Sequence, residues 1–454
     1  SQKSTRLDSN EERSNALLAF RGGDISMNVR SELATARAID DCMLGVTALP
    51  PDHARRAILD GVREIDGVET KSISELFGRI AAADILSEVA LPRFDNSAVD
   101  GFALHADDLL REIPLTLRIA GKAAAGHAMA QSLQAGSAAR VLTGARVPEG
   151  AVAIVLEERT TRSSSGVTFH ALPREGANIR GRGEDVSAGT TVVAKGTVID
   201  ARHIAILAAS GNARIPVKRK LRIGILSTGD ELVEAGREIA PSAIVDTNGP
   251  MLRSLLESAA FSVSDLGIVP DDRDAVARAM LDAASHLDLL LTSGGVAGSD
   301  ADHIARAIVD AGGKCETLKL ALRPGKPIGK GSIDSMQVLA LPGNPVAALV
   351  NFLLFGRPLV RALLGAADRN AISPRARTAE IFDHKVGRTE FVPVRIQHHD
   401  TDGIPVVSKL GRGGSARLLP LVMSDGFAEI EPDVGDVDLG ATVRFHPFSA
   451  AFTL

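Results

Sequence analysis

From Leu221 to Leu364 strand-like and helix-like runs alternate, and this alternation confines the region to a mainly parallel sheet covered on both faces by helices. The strand-like runs are Leu221–Leu226, Phe261–Val269, Leu287–Thr292, Thr317–Leu322 and Gln337–Leu341. Helical spacing predicts helices at Gly249–Ala260, Arg273–Ala284, Asp302–Ala311 and Pro345–Leu364. In open sheets of this kind ligands bind outside the carboxyl ends of the strands. Three of those ends carry glycine: Ser227-Thr228-Gly229-Asp230-Glu231, Thr292-Ser293-Gly294-Gly295 and Pro342-Gly343-Asn344-Pro345.

Glycine at such a position lets main-chain N–H groups approach an anion, and a following helix N-terminus adds partial positive charge. Each loop alone also reads as a tight turn. Together, and beside Arg323-Pro324-Gly325-Lys326-Pro327, they point to a phosphate-bearing small molecule. Lys326 offers a point charge to a phosphate or oxyanion; the alternative is a solvated surface lysine. The carboxylates Asp230, Glu231, Asp246, Asp271, Asp272 and Asp302 fall in or beside the same loops. Beside a phosphate they suggest a bridging Mg²⁺, whereas Asp271 or Asp272 fits equally well as a helix N-cap. Asp246 and Asn248, after a strand-like run and before a helix, form a further polar pair.

A chain of 454 residues exceeds what one core supports, so two to four domains are expected. Residues 1 to about 40 are polar and charged and read as a flexible tail, with a short helix at Glu11–Phe20. Helices are predicted from Pro51, on Ala54, Ile58, Val62 and Ile65, and at Ser74–Ala83. The stretch from Pro92 to Ala103 has too many turn formers for either regular element. Leu115–Ile119, Ala139–Leu142, Ala153–Leu156 and Val167–Phe169 read as a small all-β unit. A loop-rich stretch and a helix at Ala201–Ala209 follow, and after about Pro374 short strands suggest a compact β domain.

A net charge of −5, no Trp, no Tyr and only 14 Phe argue against a protein that wraps nucleic acid or stacks its bases. Cys42 and Cys315 form no C-x-x-C pair, so neither a disulfide framework nor a zinc cluster is supported, and a reducing compartment is expected. No apolar run is expected to reach the length of a membrane span; the best candidate, Ala347–Phe355, is short and carries Asn351. With no apolar leader visible at the N-terminus, a cytoplasmic location is expected.

Eight segments, in order, carry a more specific message. They are Phe94-Asp95-Asn96-Ser97-Ala98-Val99-Asp100-Gly101-Phe102-Ala103, Thr143-Gly144-Ala145, Arg182-Gly183-Glu184-Asp185, Ser227 to Leu232, Asp246-Thr247-Asn248, Ser293-Gly294-Gly295-Val296, Pro324-Gly325-Lys326-Pro327 and Leu341-Pro342-Gly343-Asn344-Pro345. In order and rough spacing, from about residue 50 onward, the chain resembles the molybdopterin molybdenumtransferases, the family of bacterial MoeA and the gephyrin E domain.

The resemblance implies an α/β plus β multidomain fold: a molybdopterin-binding Rossmann-like α/β domain, a small inserted β domain and a C-terminal β-barrel. The expected division is an N-terminal extension at 1–45, an elongated linker and dimerisation domain at 46–98 and 178–215, the inserted domain at 99–177, the α/β domain at 216–368 and the barrel at 369–454. It implies a homodimer that inserts molybdate-derived molybdenum into adenylylated molybdopterin with Mg²⁺, releasing AMP. Contacts with the molybdopterin adenylyltransferase and with recipient molybdoenzymes are implied too. The expected catalytic residues are Asp95, Asp100, Glu184, Asp246 and Lys326, with Asp95 and Glu184 facing the partner subunit's α/β domain; their alternative is as turn and cap residues. Thr228, Gly229, Asp230, Glu231, Asn248, Ser293, Gly294, Gly295, Asp302, Arg323, Gly325, Pro342, Gly343 and Asn344 are expected to bind the pterin nucleotide, and Asp246, Asp271 and Asp272 the metal.

Some positions depart from the family pattern. Ala297 and Ala347 stand where serine is common, Val152 replaces an acidic residue, and the loop from Ala297 to Asp302 shifts its glycine by one. Two alternatives therefore stay open: a paralogue acting on another metal oxyanion such as tungstate, and a cofactor-binding scaffold without turnover.

Overall fold

A computed structural model describes residues 48–295, 303–367, 373–411 and 416–448. The expected Glu11–Phe20 helix, Asp302 and Ala297 lie outside the described residues. Helix α1 is Pro51–Leu59; proline at its first position costs no hydrogen bond, and Ala54 and Ile58 bury its apolar stripe. The helix expected at Ser74–Ala83 is not formed. A single 3₁₀ turn, Ile73–Glu75, is closed by Ser72 and Glu75, after which Ile80 and Ala81 bridge Val198 and Val217. Pairing to distant strands overrides the local helical pattern here.

Three short antiparallel ribbons join the residues before the inserted sheet to those after it: Val68–Ser72 with Arg214–Lys218, Ile85–Leu86 with Thr191–Val193, and Asn96–Ser97 with Ile179–Arg180. Between them lies a sheet of β1 (Gly101–His105), β2 (Leu115–Ala123), β3 (Ser137–Val141), β4 (Ala151–Leu156), β5 (Thr160–Ser163) and β6 (Gly166–Phe169), in the order β4-β1-β3-β2-β6-β5. Phe102 and Phe169, both fully buried, meet edge to face at 6.4 Å inside it. Helix α2, Ala201–Ala209, starts where predicted because Asp200 caps two of its free N–H groups.

The alternating region is a six-stranded sheet of β7 (Leu221–Thr228), β8 (Phe261–Val269), β9 (Leu289–Ser293), β10 (Lys314–Lys319), β11 (Pro327–Ile333) and β12 (Met336–Leu341). The order is β8-β7-β9-β12-β11-β10; the first four are mutually parallel, β11 is antiparallel to β12, and β10 is antiparallel to β11. Side chains alternate between two cores, as a sheet covered on both faces requires. Ile223, Ile225, Leu289, Leu291, Leu339 and Leu341 enter one; Leu226, Leu290, Val338 and Ala340 enter the other. The structure adds β11, where glycine and proline had masked a strand, and moves β10 three residues upstream of the run read in the sequence.

The covering helices are α3 (Asn248–Leu255), α4 (Arg273–Ala284) and α5 (His303–Asp310). After β12 come α6 (Pro345–Asn351), a π turn at Phe352–Gly356 and α7 (Arg357–Leu363), which run on as one helix. This helix corrects one expectation: its 19 residues are long and apolar enough for a membrane span by length and composition. Its most apolar window is 67% buried inside the protein, and Val346, Leu349, Phe352, Phe355 and Leu359 belong to the core under the sheet.

The expected C-terminal barrel is present. β13 (Arg375–Thr378), β14 (Thr389–His399), β15 (Pro405–Lys409), β16 (Gly426–Ile430) and β17 (Thr442–Pro447) close as β14-β15-β13-β17-β16 and back to β14. The two-residue strand Leu322–Arg323 pairs with β14 and ties the barrel to the sheet.

Candidate functional site

Strands β7, β9 and β12 are neighbours and parallel, so Gly229, Gly294 and Gly343 leave the sheet side by side at one rim. The loops touch. Gly294 N–H donates to the Leu341 carbonyl at 3.2 Å. A Cβ on Gly343 would stand 3.7 Å from the Gly294 Cα, and one on Gly295 would meet Ile304 at 2.7 Å. Pro342 is buried behind this edge, while Gly343 and Asn344 are exposed on it, Asn344 just ahead of α6.

Asn248, the first residue of α3, ties the rim together. Its Nδ2 donates to Ser293 Oγ and to the Gly343 carbonyl, both at 2.7 Å. Its Oδ1 is buried without a partner among the described residues, as are the hydroxyls of Thr228 and Thr292. Thr228 is 4% and Asn248 5% exposed. Buried polar atoms left unsatisfied are costly, and at the mouth of a glycine-lined edge they are what a bound ligand would satisfy.

Lys326 reaches the same edge by a different route. Because β11 runs antiparallel to β12, the start of β11 lies where β12 ends, and Lys326 immediately precedes that start. Lys326 is exposed. Arg323, in contrast, is paired with Glu390 at 3.2 Å, so its charge is already answered. Gly325 packs on α6, beside Ala347 and Asn351. Arg323, Gly325 and Lys326 line a cleft of about 680 Å³ between the sheet and the barrel, together with Arg388, Lys409 and Arg417. Lys409 is held by Asp383 at 3.0 Å.

The three carboxylates expected to share a metal do not gather. Asp246 Oδ1 accepts from the N–H groups of Asn248 and Gly249, and its Oδ2 accepts from Ser227 Oγ at 2.6 Å. Oδ1 is thus committed to the start of α3 and Oδ2 to β7. Asp272 Oδ1 caps α4 through the Ala275 N–H at 2.7 Å. Asp271 instead crowds against Asp230 and Glu231: burial, then those two charges, push its carboxyl above the ordinary range. Asp230 accepts from the Asp271 N–H, and Glu231 folds under Gly229. No trio of ligating side chains converges among the described residues. The set Asp246, Asp271 and Asp272 therefore does not fit a shared Mg²⁺, because helix amides compete successfully for two of the three.

For Asp246→Ala the expected outcome is accordingly a loss of stability of about 1–2 kcal/mol, the usual cost of a deleted N-cap. Urea unfolding measures it, and a magnesium titration of the two proteins should be superimposable.

Asp95 and Glu184 come from two different segments of the N-terminal region, and both accept from the Gly181–Arg182 main chain. Asp95 Oδ1 accepts from the Arg182 N–H at 2.7 Å, and Glu184 Oε2 from the Gly181 N–H at 2.9 Å. Asp100 accepts from Thr143 N–H and Oγ1, and these two bonds hold its carboxyl below the ordinary value. All three have the turn-forming partners of their structural alternative, yet remain exposed. Among the described residues no hydrogen bond links them to the glycine rim of the same chain. Two contributors were not singled out from sequence: Ser227, which orients Asp246, and Thr143, which orients Asp100. Each stood inside a quoted motif, but only the fold reveals the carboxylate it serves.

Three family profiles match in series: "MoeA N-terminal region (domain I and II)" at residues 49–211, "Probable molybdopterin binding domain" at 224–362 and "MoeA C-terminal region (domain IV)" at 375–448. A molybdopterin molybdenumtransferase of Haemophilus influenzae is 36% identical over 400 residues, spanning 88% of this chain and 98% of its own. One from Bacillus subtilis is 30% identical over 405 residues, 88% and 94% respectively. Among solved structures, the molybdopterin biosynthesis moeA protein of Pyrococcus horikoshii OT3 superposes with a TM-score of 0.74 at 28% identity, covering 88% of this chain and 100% of that one.

Proposed function

The chain belongs to the molybdopterin molybdenumtransferase family, enzymes of molybdenum cofactor biosynthesis, and from that premise we propose that it inserts molybdenum from molybdate into adenylylated molybdopterin with release of AMP. The observation that carries this reading is the rim itself: two buried polar atoms, on Thr228 and Asn248, that have no partner among the described residues, between three touching glycine loops. Main-chain N–H groups there suit a phosphate. Asn248 keeps two of the loops in register, and the α6 N-terminus adds its partial charge.

The cleft lined by Lys326, Arg388 and Arg417 suits a second anionic position, as two anionic substrates require. Asp230, Glu231 and Asp271 bring negative charge to the edge of the rim, and burial with the two neighbouring carboxylates pushes the Asp271 carboxyl above its ordinary range. Magnesium belongs to this reading only as an ion carried in on the substrate's phosphates, which is its usual mode of entry.

The loops of Asp95, Asp100 and Glu184 are read as completing the site across a homodimer, which accounts for exposed, fixed carboxylates remote from their own rim. The elongated part (46–98 with 178–215) would supply that reach, with 99–177 inserted in it, 216–368 holding the pterin and 369–454 as the barrel. A cytoplasmic setting, and transient contact with the adenylyltransferase and recipient enzymes, follow from the same reading.

Incubating the protein with adenylylated molybdopterin, molybdate and Mg²⁺ should release AMP and yield active cofactor; binding without release would make it a scaffold. Faster release with tungstate would shift the substrate assignment. In the same assay Lys326→Ala is expected to weaken pterin nucleotide binding by about 10- to 100-fold, the range of one charge-assisted contact. Binding equal to the parent's by calorimetry would remove Lys326 from the site.

A further inference from the structure

His384 lies between β13 and β14, and its side chain is only 1% exposed. Its Nδ1 stands 2.7 Å from the Val434 carbonyl oxygen and its Nε2 3.0 Å from the Arg388 carbonyl oxygen. A carbonyl oxygen only accepts, and a neutral imidazole has one N–H and one bare lone pair. Either neutral tautomer would aim a buried lone pair at an oxygen. The form that answers both carbonyls is the imidazolium, donating from each nitrogen. A counter-charge is in place, since Glu390 Oε2 lies 3.9 Å from Nε2, and Glu390 also reaches Arg323 at 3.2 Å. The other charged neighbours are Asp436, whose Oδ1 accepts the His384 main-chain N–H at 2.8 Å, Asp383, held by Lys409, and the exposed Lys385.

The segment that this ring grips is one wall of the cleft between sheet and barrel. Phe382, Asp383, Arg388 and Glu390, on either side of His384 in sequence, all line it. Among the cleft's cations Arg323 and Lys409 have carboxylate partners, whereas the Arg388 side chain has none among the described residues. We infer that His384, carrying both ring protons, is a positioning residue for Arg388. One buried ring joins the Arg388 carbonyl to Val434, across the barrel's loops, and its charge shares Glu390 with Arg323. Arg388 is thereby fixed at the wall with its guanidinium left for an anion. The inference rests on the cleft as the second anionic position, the reading given above.

The parent is compared with His384→Gln, which keeps a donor at one end only, and with His384→Phe, which keeps the ring's bulk and neither donor. Neutron diffraction from deuterium-exchanged parent crystals at neutral pH should show deuterium on both Nδ1 and Nε2; a bare nitrogen overturns the inference. For all three proteins, amide exchange at Gly387, whose N–H donates to the Pro432 carbonyl, is read without ligand. KM for molybdate and kcat are read from AMP release. Both variants should exchange faster at Gly387 and raise KM for molybdate, each by about tenfold, with kcat changed less than KM. A residue that only fills the barrel gives another pattern, a lowered melting temperature with exchange and KM unmoved, and that result also overturns the inference. Two variants are used so that a folding defect in one leaves the other to decide. If the parent releases no AMP, the enzymatic reading fails by itself, and the deuterium positions with the exchange at Gly387 still decide for or against His384.

Discussion

Gly294→Ala is expected to lose pterin nucleotide binding by at least about 100-fold, and to be the most damaging single methyl group that can be added to the site. Gly294 sits at φ +98°, a region L-residues rarely enter, and its Cβ would lie 2.4 Å from the Thr228 carbonyl oxygen. The neighbour is main chain within β7, so it cannot swing aside. Backbone strain of about 1–3 kcal/mol and overpacking of similar size together exceed what the rim can absorb without opening. Opening it parts β7 from β9 where Thr228, Ser293 and Gly343 meet. A control isolates the strain: Gly403 also has positive φ, at +76°, but a Cβ there meets nothing within 4 Å. Gly403→Ala should cost about 1 kcal/mol or slightly more and leave affinity untouched. Calorimetric titration of both variants with adenylylated molybdopterin checks the pair. A Gly294→Ala protein that binds like the parent would place the ligand somewhere other than this rim.

The rim was readable from the chain because its signals are local. A glycine loop straight after a strand-like run needs only the strand to be right, and Phe261–Val269 and Arg273–Ala284 are formed with the very limits the pattern suggests. Asp200 and Asp272 mark helix starts for the same reason, since a cap and the N–H groups it serves are neighbours in sequence. The misreadings all involve partners far away. Ser74–Ala83 has helical spacing, yet Ile80 and Ala81 find Val198 and Val217. Pro327–Ile333 looks like loop, yet its Gly331 answers a close approach by Lys314 and Ile308, not a turn. No spacing rule says whether the Asp246 carboxylate turns outward or back onto its own helix. Ser227, nineteen positions upstream, settles that orientation.

At the opposite edge of the sheet, Asp288→Ala should produce the largest loss of stability, about 3 kcal/mol, while leaving ligand affinity unchanged. Asp288 is 9% exposed and stands just ahead of β9, at the end remote from the glycine rim. Its carboxylate accepts from Arg219 at 2.6 and 2.9 Å and from the Arg222 side chain at 2.8 and 3.2 Å, with the Arg222 N–H at 2.9 Å. Removing the anion leaves two guanidinium groups facing each other without it. Deleting one partner of a buried pair typically costs about 3–5 kcal/mol, and the lower end applies because Arg219 and Arg222 are 26% and 47% exposed. Burial pushes the Asp288 carboxyl up, but the hydrogen bonds from Arg219 and Arg222 outweigh it and hold the group well below the usual carboxylate range. A depressed folded-state pKa contributes stability that is complete above the unfolded value, about 3.9, and is lost as pH falls toward the folded value. The parent's urea midpoint should therefore fall as the solution is acidified below about pH 4, and Asp288→Asn should remove part of that slope. An Asp288→Ala protein within about 1 kcal/mol of the parent at neutral pH would show that the pair is screened like an ordinary surface bridge.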